Sequence, residues 1–321
     1  MKKILLIGGA GYVGSRLSNH LSKIGHDVSV VDKFWFGDFL SSNILKIKKD
    51  LWKLTPKDLV EFDVIVFLAG LANDPMAMFR SDLNFIENAA APAYIAYIAK
   101  QAGVKRFVHA SSCSVYGYTK NEILDENSKI NPNYPYGISK LQSECGIMSL
   151  QDNNFRPIIL RKGTICGWSP KMRYDLVVNT MLKDAIVSKK IVVNNPNLWR
   201  PLVDIRDVIQ GYEKAIFADL DISGIYNLSG INLTIGELGK KIHDHLIFLG
   251  FNNELIINNI EDVRNYKVST LKIEKELNYK ATYTIIDSLN DILDNININD
   301  YNFNDEIFYN IETFKKVINE Q

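Results

Sequence analysis

The run Lys3-Ile-Leu-Leu-Ile7 leads directly into Gly8-Gly9-Ala10-Gly11-Tyr12-Val13-Gly14, and a helical apolar pattern follows as far as Lys23. A short, wholly apolar run of this kind is the signature of a parallel strand buried on both faces. Glycines at 8, 11 and 14 between a strand and a helix have separate uses. Gly8 permits a tight turn, Gly11 lets backbone approach a pyrophosphate, and Gly14 lets helix and strand pack closely, while Tyr12 and Val13 open a helix whose N–H groups and dipole attract the anion. The pattern then repeats. Strands are predicted over His26–Asp32, Ile44–Lys48, Phe62–Gly70 and Lys105–Ser111, with an alanine-rich helix over Asn84–Gln101. Strands alternating with helices at this pitch imply an α/β fold, a Rossmann-type, doubly wound parallel sheet.

The second strand ends in Asp32, about 20 positions beyond the glycines, where a carboxylate accepts the ribose hydroxyls of an adenosine. That favours NAD, and Lys33 keeps NADP open as an alternative. Asp50 and Leu51 follow the third strand within reach of an adenine. Leu68, Ala69 and Gly70 close the fourth strand in small residues that let phosphates and ribose pass over its end.

Composition narrows the partners. Of 321 residues, 46% are apolar, and 37 Lys and Arg balance 37 Asp and Glu, so neither a nucleic-acid groove nor an anionic membrane surface is indicated. Cys113, Cys145 and Cys166 stand far apart without metal-ligand spacing, which argues against a metal site or a disulfide framework and fits a reducing cytoplasm. The apolar run after Met1 is too short for a signal segment or a membrane span.

Tyr136 and Lys140 lie four residues apart. On a helix this spacing places them on one face, one turn apart. A free phenol ionises near ~10, and a fixed cation beside it favours the phenolate, so such a tyrosine exchanges a proton with a hydroxyl near neutral pH. Ser112 is expected at a strand end, with its hydroxyl on the same substrate oxygen.

Gly8-x-x-Gly11-x-x-Gly14, Asp32, Ser111-Ser112-x-Ser114-Val115-Tyr116-Gly117 and Tyr136-x-x-x-Lys140 stand in one order. Together they resemble the extended short-chain dehydrogenase/reductases, the NAD-dependent epimerase/dehydratase family acting on nucleotide sugars. The resemblance implies Ser112, Tyr136 and Lys140 as the catalytic trio, with Lys140 on the nicotinamide ribose, and Ser111, Leu68, Ala69, Gly70 and Asn88 beside NAD. Related 4,6-dehydratases carry an acid pair where this chain has Cys113 and Ser114, which leaves hydride chemistry at a carbinol. Cys113 is read as a buried filler turned to the opposite face of a strand.

In the second half Arg156–Arg161 reads as a strand, and Lys162, Gly163 and Thr164 should face the nicotinamide and sugar, although the family more often has tyrosine or asparagine at Lys162. Trp168-Ser-Pro-Lys-Met-Arg-Tyr-Asp-Leu-Val-Val-Asn179 resembles a family branch that includes GDP-heptose 4-dehydrogenases. By this resemblance Ser114, Thr164, Arg173, Asn179, Arg200 and Arg264 contact the nucleotide sugar. Arg200 also has the plainer reading of an ion pair with Asp204 or Asp207, and Asp204 replaces a family histidine. Residues 1–165 with return segments near 203–230 form the expected NAD domain, and 166–202 with 231–321 the expected substrate lobe.

The resemblance implies an NAD-dependent nucleotide-sugar epimerase acting through a 4-keto intermediate. A 4-dehydrogenase uses the same trio, and a non-catalytic NAD sensor is the alternative of another class. A homodimer is implied through a four-helix bundle of Asn84–Gln101 and Tyr136–Asp152, with Ala89, Ala90, Ala91, Ala93 and Ala96 allowing close approach.

Overall fold

The computed structural model describes residues 1–119, 122–259 and 265–319. Seven parallel strands form the main sheet, in the order Gly224–Leu228, Arg156–Lys162, Arg106–Ser112, Val64–Phe67, Lys3–Ile7, Asp27–Asp32, Leu45–Lys48. Its apolar strands are explained by burial on both faces. Ile4 and Leu6 enter a core beneath the helices Tyr12–Lys23 and Ile205–Phe217, while Leu5 and Ile7 enter another beneath Ala91–Gln101 and Pro135–Met148. The chain runs outward from Lys3–Ile7 to one edge, then returns to Val64–Phe67 and continues to the other. That reversal opens a crevice at the carboxyl ends of the two central strands, where such sheets bind ligands.

A second core joins the helices Val177–Val187, Ile235–Phe248 and Ile285–Asp294 through Leu182, Leu238, Ile242 and Leu289. A three-stranded sheet of Ile231–Thr234, Trp199–Asp204 and Thr164–Cys166 links this lobe to the main body. The chain after Gly230 is not confined to the lobe. Ile273, Leu277 and Tyr279 return to the main core, and Phe314, wholly buried, packs with Leu71 and Met76 on the nucleotide-binding side. Among the described residues, no helix is long and apolar enough to cross a membrane.

Two local expectations are corrected. The helix expected over Asn84–Gln101 is divided into Ser81–Phe85, a π turn Ile86–Ala90 and Ala91–Gln101. Pro92 lacks the N–H that would complete a regular turn there. Cys113 is not on a strand but opens the 3₁₀ turn Cys113–Tyr116; it is nonetheless buried, its thiol against the Arg161 carbonyl at 3.1 Å.

The helix Pro135–Met148 is held to the sheet by charge. Glu144 and Arg161, each 1% exposed, meet through two guanidinium nitrogens, with Nη2 2.6 Å from Oε2. Ser111 donates to the same carboxylate, and Arg161 Nη1 donates to the Tyr116 hydroxyl at 3.0 Å. Removing one partner of a buried pair strands the other charge in a low dielectric. Glu144→Ala is therefore expected to cost about 3–5 kcal/mol, whereas the double variant Glu144→Leu, Arg161→Met loses less than the sum of its singles. Urea denaturation of Glu144→Ala, the two singles Glu144→Leu and Arg161→Met, and their double measures both.

Candidate active site

The crevice at the sheet reversal is a cleft of about 700 Å³, lined by both halves of the chain. Gly8, Gly11, Tyr12, Val13, Gly14, Asp32, Lys33, Leu51, Leu68, Ala69, Gly70 and Ser111 line its nucleotide end. Gly8 has a φ of +81°, and a Cβ there would lie 2.4 Å from the Ala69 nitrogen; one on Gly14 would lie 2.6 Å from the Gly8 carbonyl oxygen. No other residue closes this turn. At Gly11, by contrast, the nearest atom to an added Cβ is 3.8 Å away, so its missing side chain leaves a cradle open to the cleft. The Asp32 carboxylate is fixed by the backbone N–H groups of Ala10 at 2.9 Å and Phe34 at 2.8 Å. Burial raises its pKa, and these N–H groups oppose the shift. A helix N-terminus over an open glycine cradle, with an acid at the ribose corner, fits a dinucleotide.

Three expected cofactor contacts do different work. Asp50 does not line the cleft: it caps the turn at Leu51 and ion-pairs with Lys33 at 3.0 Å, so Lys33 lies in the wall with its charge already matched. Asn88 also stands behind the wall. Its amide donates to the Leu71 carbonyl at 2.9 Å and to Asn84 Oδ1 at 2.8 Å, while Asn84 in turn holds the Pro135 carbonyl. The Asn88 NH₂ thus braces the helix carrying Tyr136, while its buried Oδ1 has no partner among the described residues and lies against Gly70 of the cleft wall.

Ser112, Tyr136 and Lys140 all line the cleft. Tyr136 stands near enough to Ser112 for that hydroxyl to draw the phenol's pKa down, and the Ser112 oxygen is tied to Ser114 Oγ at 3.0 Å and to the Ser114 N–H at 3.1 Å. The electrostatics differ from expectation. Burial raises the Tyr136 phenol above its ordinary value, Asp74 adds to the rise, and the groups that oppose it are Arg173 and the Ser112 hydrogen bond. Lys140 donates to the Ala110 carbonyl at 3.1 Å and lies 5.7 Å from the centre of the Tyr136 ring. Desolvation lowers its pKa to about 8, with Glu144 opposing. The phenol is therefore protonated here, and the cation that draws its pKa down is Arg173, from the other half of the cleft.

The substrate end carries basic and acidic side chains together. Ser114, Lys162, Gly163, Thr164, Arg173 and Arg200 line it, with Asp74, Asp175 and Asp184 also in the cleft wall. Burial, Lys140 and Arg173 together lower Lys162 to about 7. Arg173 grips Asp175 with two nitrogens at 2.8 Å. Arg200 lies 6.0 Å from the Tyr266 ring centre, and the acids proposed as its partners are engaged elsewhere, Asp204 with Arg206 and Asp207 with the N–H groups of Thr282 and Tyr283. Asn179 does not face the cleft. Its side chain is spent on Tyr12 Oη at 3.3 Å, the Arg173 carbonyl at 3.0 Å and the Gly167 N–H at 3.2 Å, which makes it a brace between the halves. Arg264 lies outside the described residues. Glu144, Lys171 and Asn310 escaped the sequence reading; only Glu144 left a signal, standing four residues after Lys140 as Lys140 stands four after Tyr136.

UDP-glucose 4-epimerase 2 of Arabidopsis thaliana is 26% identical to this chain over 94% of it and 97% of its own length. A UDP-glucose 4-epimerase of Lactobacillus helveticus is 30% identical over 44% of this chain and 45% of its own. The fold is similar to that of UDP-glucuronic acid 4-epimerase from Bacillus cereus, solved with UDP-glucuronic acid and NAD: the TM-score is 0.80 at 23% identity, covering 91% of this chain and 98% of that one. The sequence profile of the NAD dependent epimerase/dehydratase family matches residues 4–229, and with the glycine turn, Asp32 and the Ser112–Tyr136 couple in one cleft, the chain belongs to that family.

Proposed function

We propose that the protein is a nucleotide-sugar epimerase that uses NAD to oxidise and re-reduce the sugar C4 carbinol. The observation that carries this reading is the Ser112–Tyr136 couple on a cleft wall continuous from the glycine cradle to the substrate end. Bound NAD would supply a reversible hydride acceptor for the carbinol carbon. The residues do the rest. Oxidation of a carbinol releases one proton; Tyr136, having first lost its own phenolic proton to solvent, is the group placed to take it as phenolate and to return it to the keto oxygen. Arg173 lowers the cost of the phenolate, and Ser112 keeps the shared oxygen in line. Lys140, pinned to Ala110, is assigned to the nicotinamide ribose. Ser114, Thr164, Arg173 and Arg200 are assigned to the nucleotide sugar, whose diphosphate suits guanidinium groups.

A 4-dehydrogenase would use the same groups, and the curated relatives named as 4-epimerases favour epimerisation. We also assign a homodimer. Ala91 and Ala96 are wholly buried within the chain, and a Cβ on Gly146 would lie 2.8 Å from the Ala93 side chain, so these three pack the protomer itself, whereas Ala90 is exposed and Ala89 half-buried. Phe85, Ile86 and Tyr97 remain exposed on the same helices for a partner copy. The exposed thiol of Cys145 fits a reducing, cytoplasmic setting.

Incubation with UDP-, GDP- and dTDP-sugars, followed by nicotinamide absorbance and product stereochemistry, is expected to show an inverted C4 centre without net reduced cofactor. Accumulation of reduced nicotinamide with a keto product would replace epimerase by dehydrogenase. Tyr136→Phe is expected to keep NAD affinity and to lose about 10²- to 10⁴-fold in turnover; unchanged turnover removes Tyr136 from the chemistry. Light scattering should give twice the monomer mass, and Tyr97→Glu should shift it toward the monomer.

A further inference from the structure

Lys171 is a lysine with no exposed surface that lines the cleft. Its ammonium donates to Asn310 Oδ1 on the C-terminal helix Asn310–Asn319 and stands 4.5 Å over the Phe36 ring, in the loop that follows Asp32. Neither partner carries charge. The nearby acid, Asp175, is already gripped by Arg173 and receives a further hydrogen bond from Asn73 at 2.9 Å.

The backbone leading to Lys171 is fixed across the first turn of the nucleotide-binding helix. Tyr12 Oη donates to the Gly167 carbonyl at 2.6 Å, and Ser169 Oγ donates to the Tyr12 carbonyl at 2.6 Å and lies 3.1 Å from Ser15 Oγ. The chain leading to Lys171 thus crosses the helix N-terminus beside the Gly11 cradle, and its ammonium stands over the loop beyond the Asp32 ribose corner. Between a helix N-terminus and an adenosine ribose a bound dinucleotide carries its pyrophosphate.

We infer that Lys171, supplied by the substrate half of the chain and held by Asn310, is the counter-charge for the pyrophosphate of the bound dinucleotide. This rests on the reading of the cleft as an NAD site. A buried ammonium held by an amide and a ring, its nearby acid already gripped by Arg173, is costly to hold charged, and an arriving anion offsets that cost. Burial first, then Arg173, lowers Lys171 to about 7, with Asp175 opposing. At pH 8 the free amine is mostly neutral, an adjacent pyrophosphate raises its pKa, and binding therefore takes up protons.

The test is calorimetric titration of the full-length chain at pH 8 with NAD, ADP-ribose, adenosine and UDP, each in two buffers of different ionisation enthalpy. Lys171→Met is expected to weaken NAD and ADP-ribose about tenfold to a hundredfold, to leave adenosine unchanged, and to lower the proton uptake on NAD binding. Lys171→Arg is expected to recover most of the affinity. Should Lys171→Met fail to fold, Asn310→Ala, which frees the ammonium from its holder, is expected to weaken ADP-ribose and not adenosine. Equal ADP-ribose affinity in wild type and Lys171→Met overturns the inference, as does a loss that falls on UDP alone or equally on adenosine. A wild-type chain that binds neither NAD nor ADP-ribose overturns the functional reading instead.

Discussion

The contact between Glu144 and Arg161 decides where the chemistry takes place. Tyr136, Lys140 and Glu144 follow one another at four-residue intervals on a single helix, so fixing the last fixes the other two. Arg161 is fixed in turn by the strand Arg156–Lys162 and by Tyr116, whose hydroxyl continues to Asn227 on the edge strand at 2.8 Å. One dry ion pair thus ties the catalytic helix to two strands of the main sheet and, through Tyr116, to a third. Such a pair adds little net stability over an apolar substitute, but it accepts few alternative registers. A shift of the helix by one residue would carry the carboxylate off its partner and the phenol out of the cleft.

The same burial that makes this pair selective sets the charge of the cleft. Lys140, Lys162 and Lys171 are all drawn below the ordinary lysine value, and desolvation is the leading cause in each. Nearby acids are mostly occupied: Glu144 by Arg161, Asp175 by Arg173 and Asn73, Asp50 by Lys33. A wall with amines poised near neutrality and its carboxylates engaged is suited to ligands that bring their own phosphates. The phenol sits in the same dry region and stays protonated, with Arg173 rather than the lysine of its own helix easing its ionisation.

The residues legible in the sequence were those whose role is local. Gly8, Gly11 and Gly14 act within one turn, Asp32 stands at the end of the next strand, and Tyr136 and Lys140 stand one turn apart on one helix. Residues carried over by position fared less well. Asn88 and Asn179 stand at family positions, yet the Asn179 amide is taken up at both ends by neighbouring segments, and the Asn88 NH₂ is held by Leu71 and Asn84 while its Oδ1 is left unpartnered among the described residues. Asp50 was placed beside the adenine when its charge belongs to Lys33. The buried Asn179 amide and the Asn88 NH₂ found partners within the protein, since leaving a buried polar group unsatisfied is costly.

Sequence alone therefore determined the doubly wound sheet, the glycine turn and the pairing of Tyr136 with Lys140 on one helix face, because each is written in spacings shorter than a strand–helix repeat and depends on backbone geometry that few residues permit. Tertiary structure alone decided which charges share the cleft. Lys171 and Asn310 meet across 139 positions of chain, and Arg173 reaches Tyr136 from the other half of the molecule. Electrostatic fields and desolvation depend on distance through space, and no periodicity along the chain encodes it.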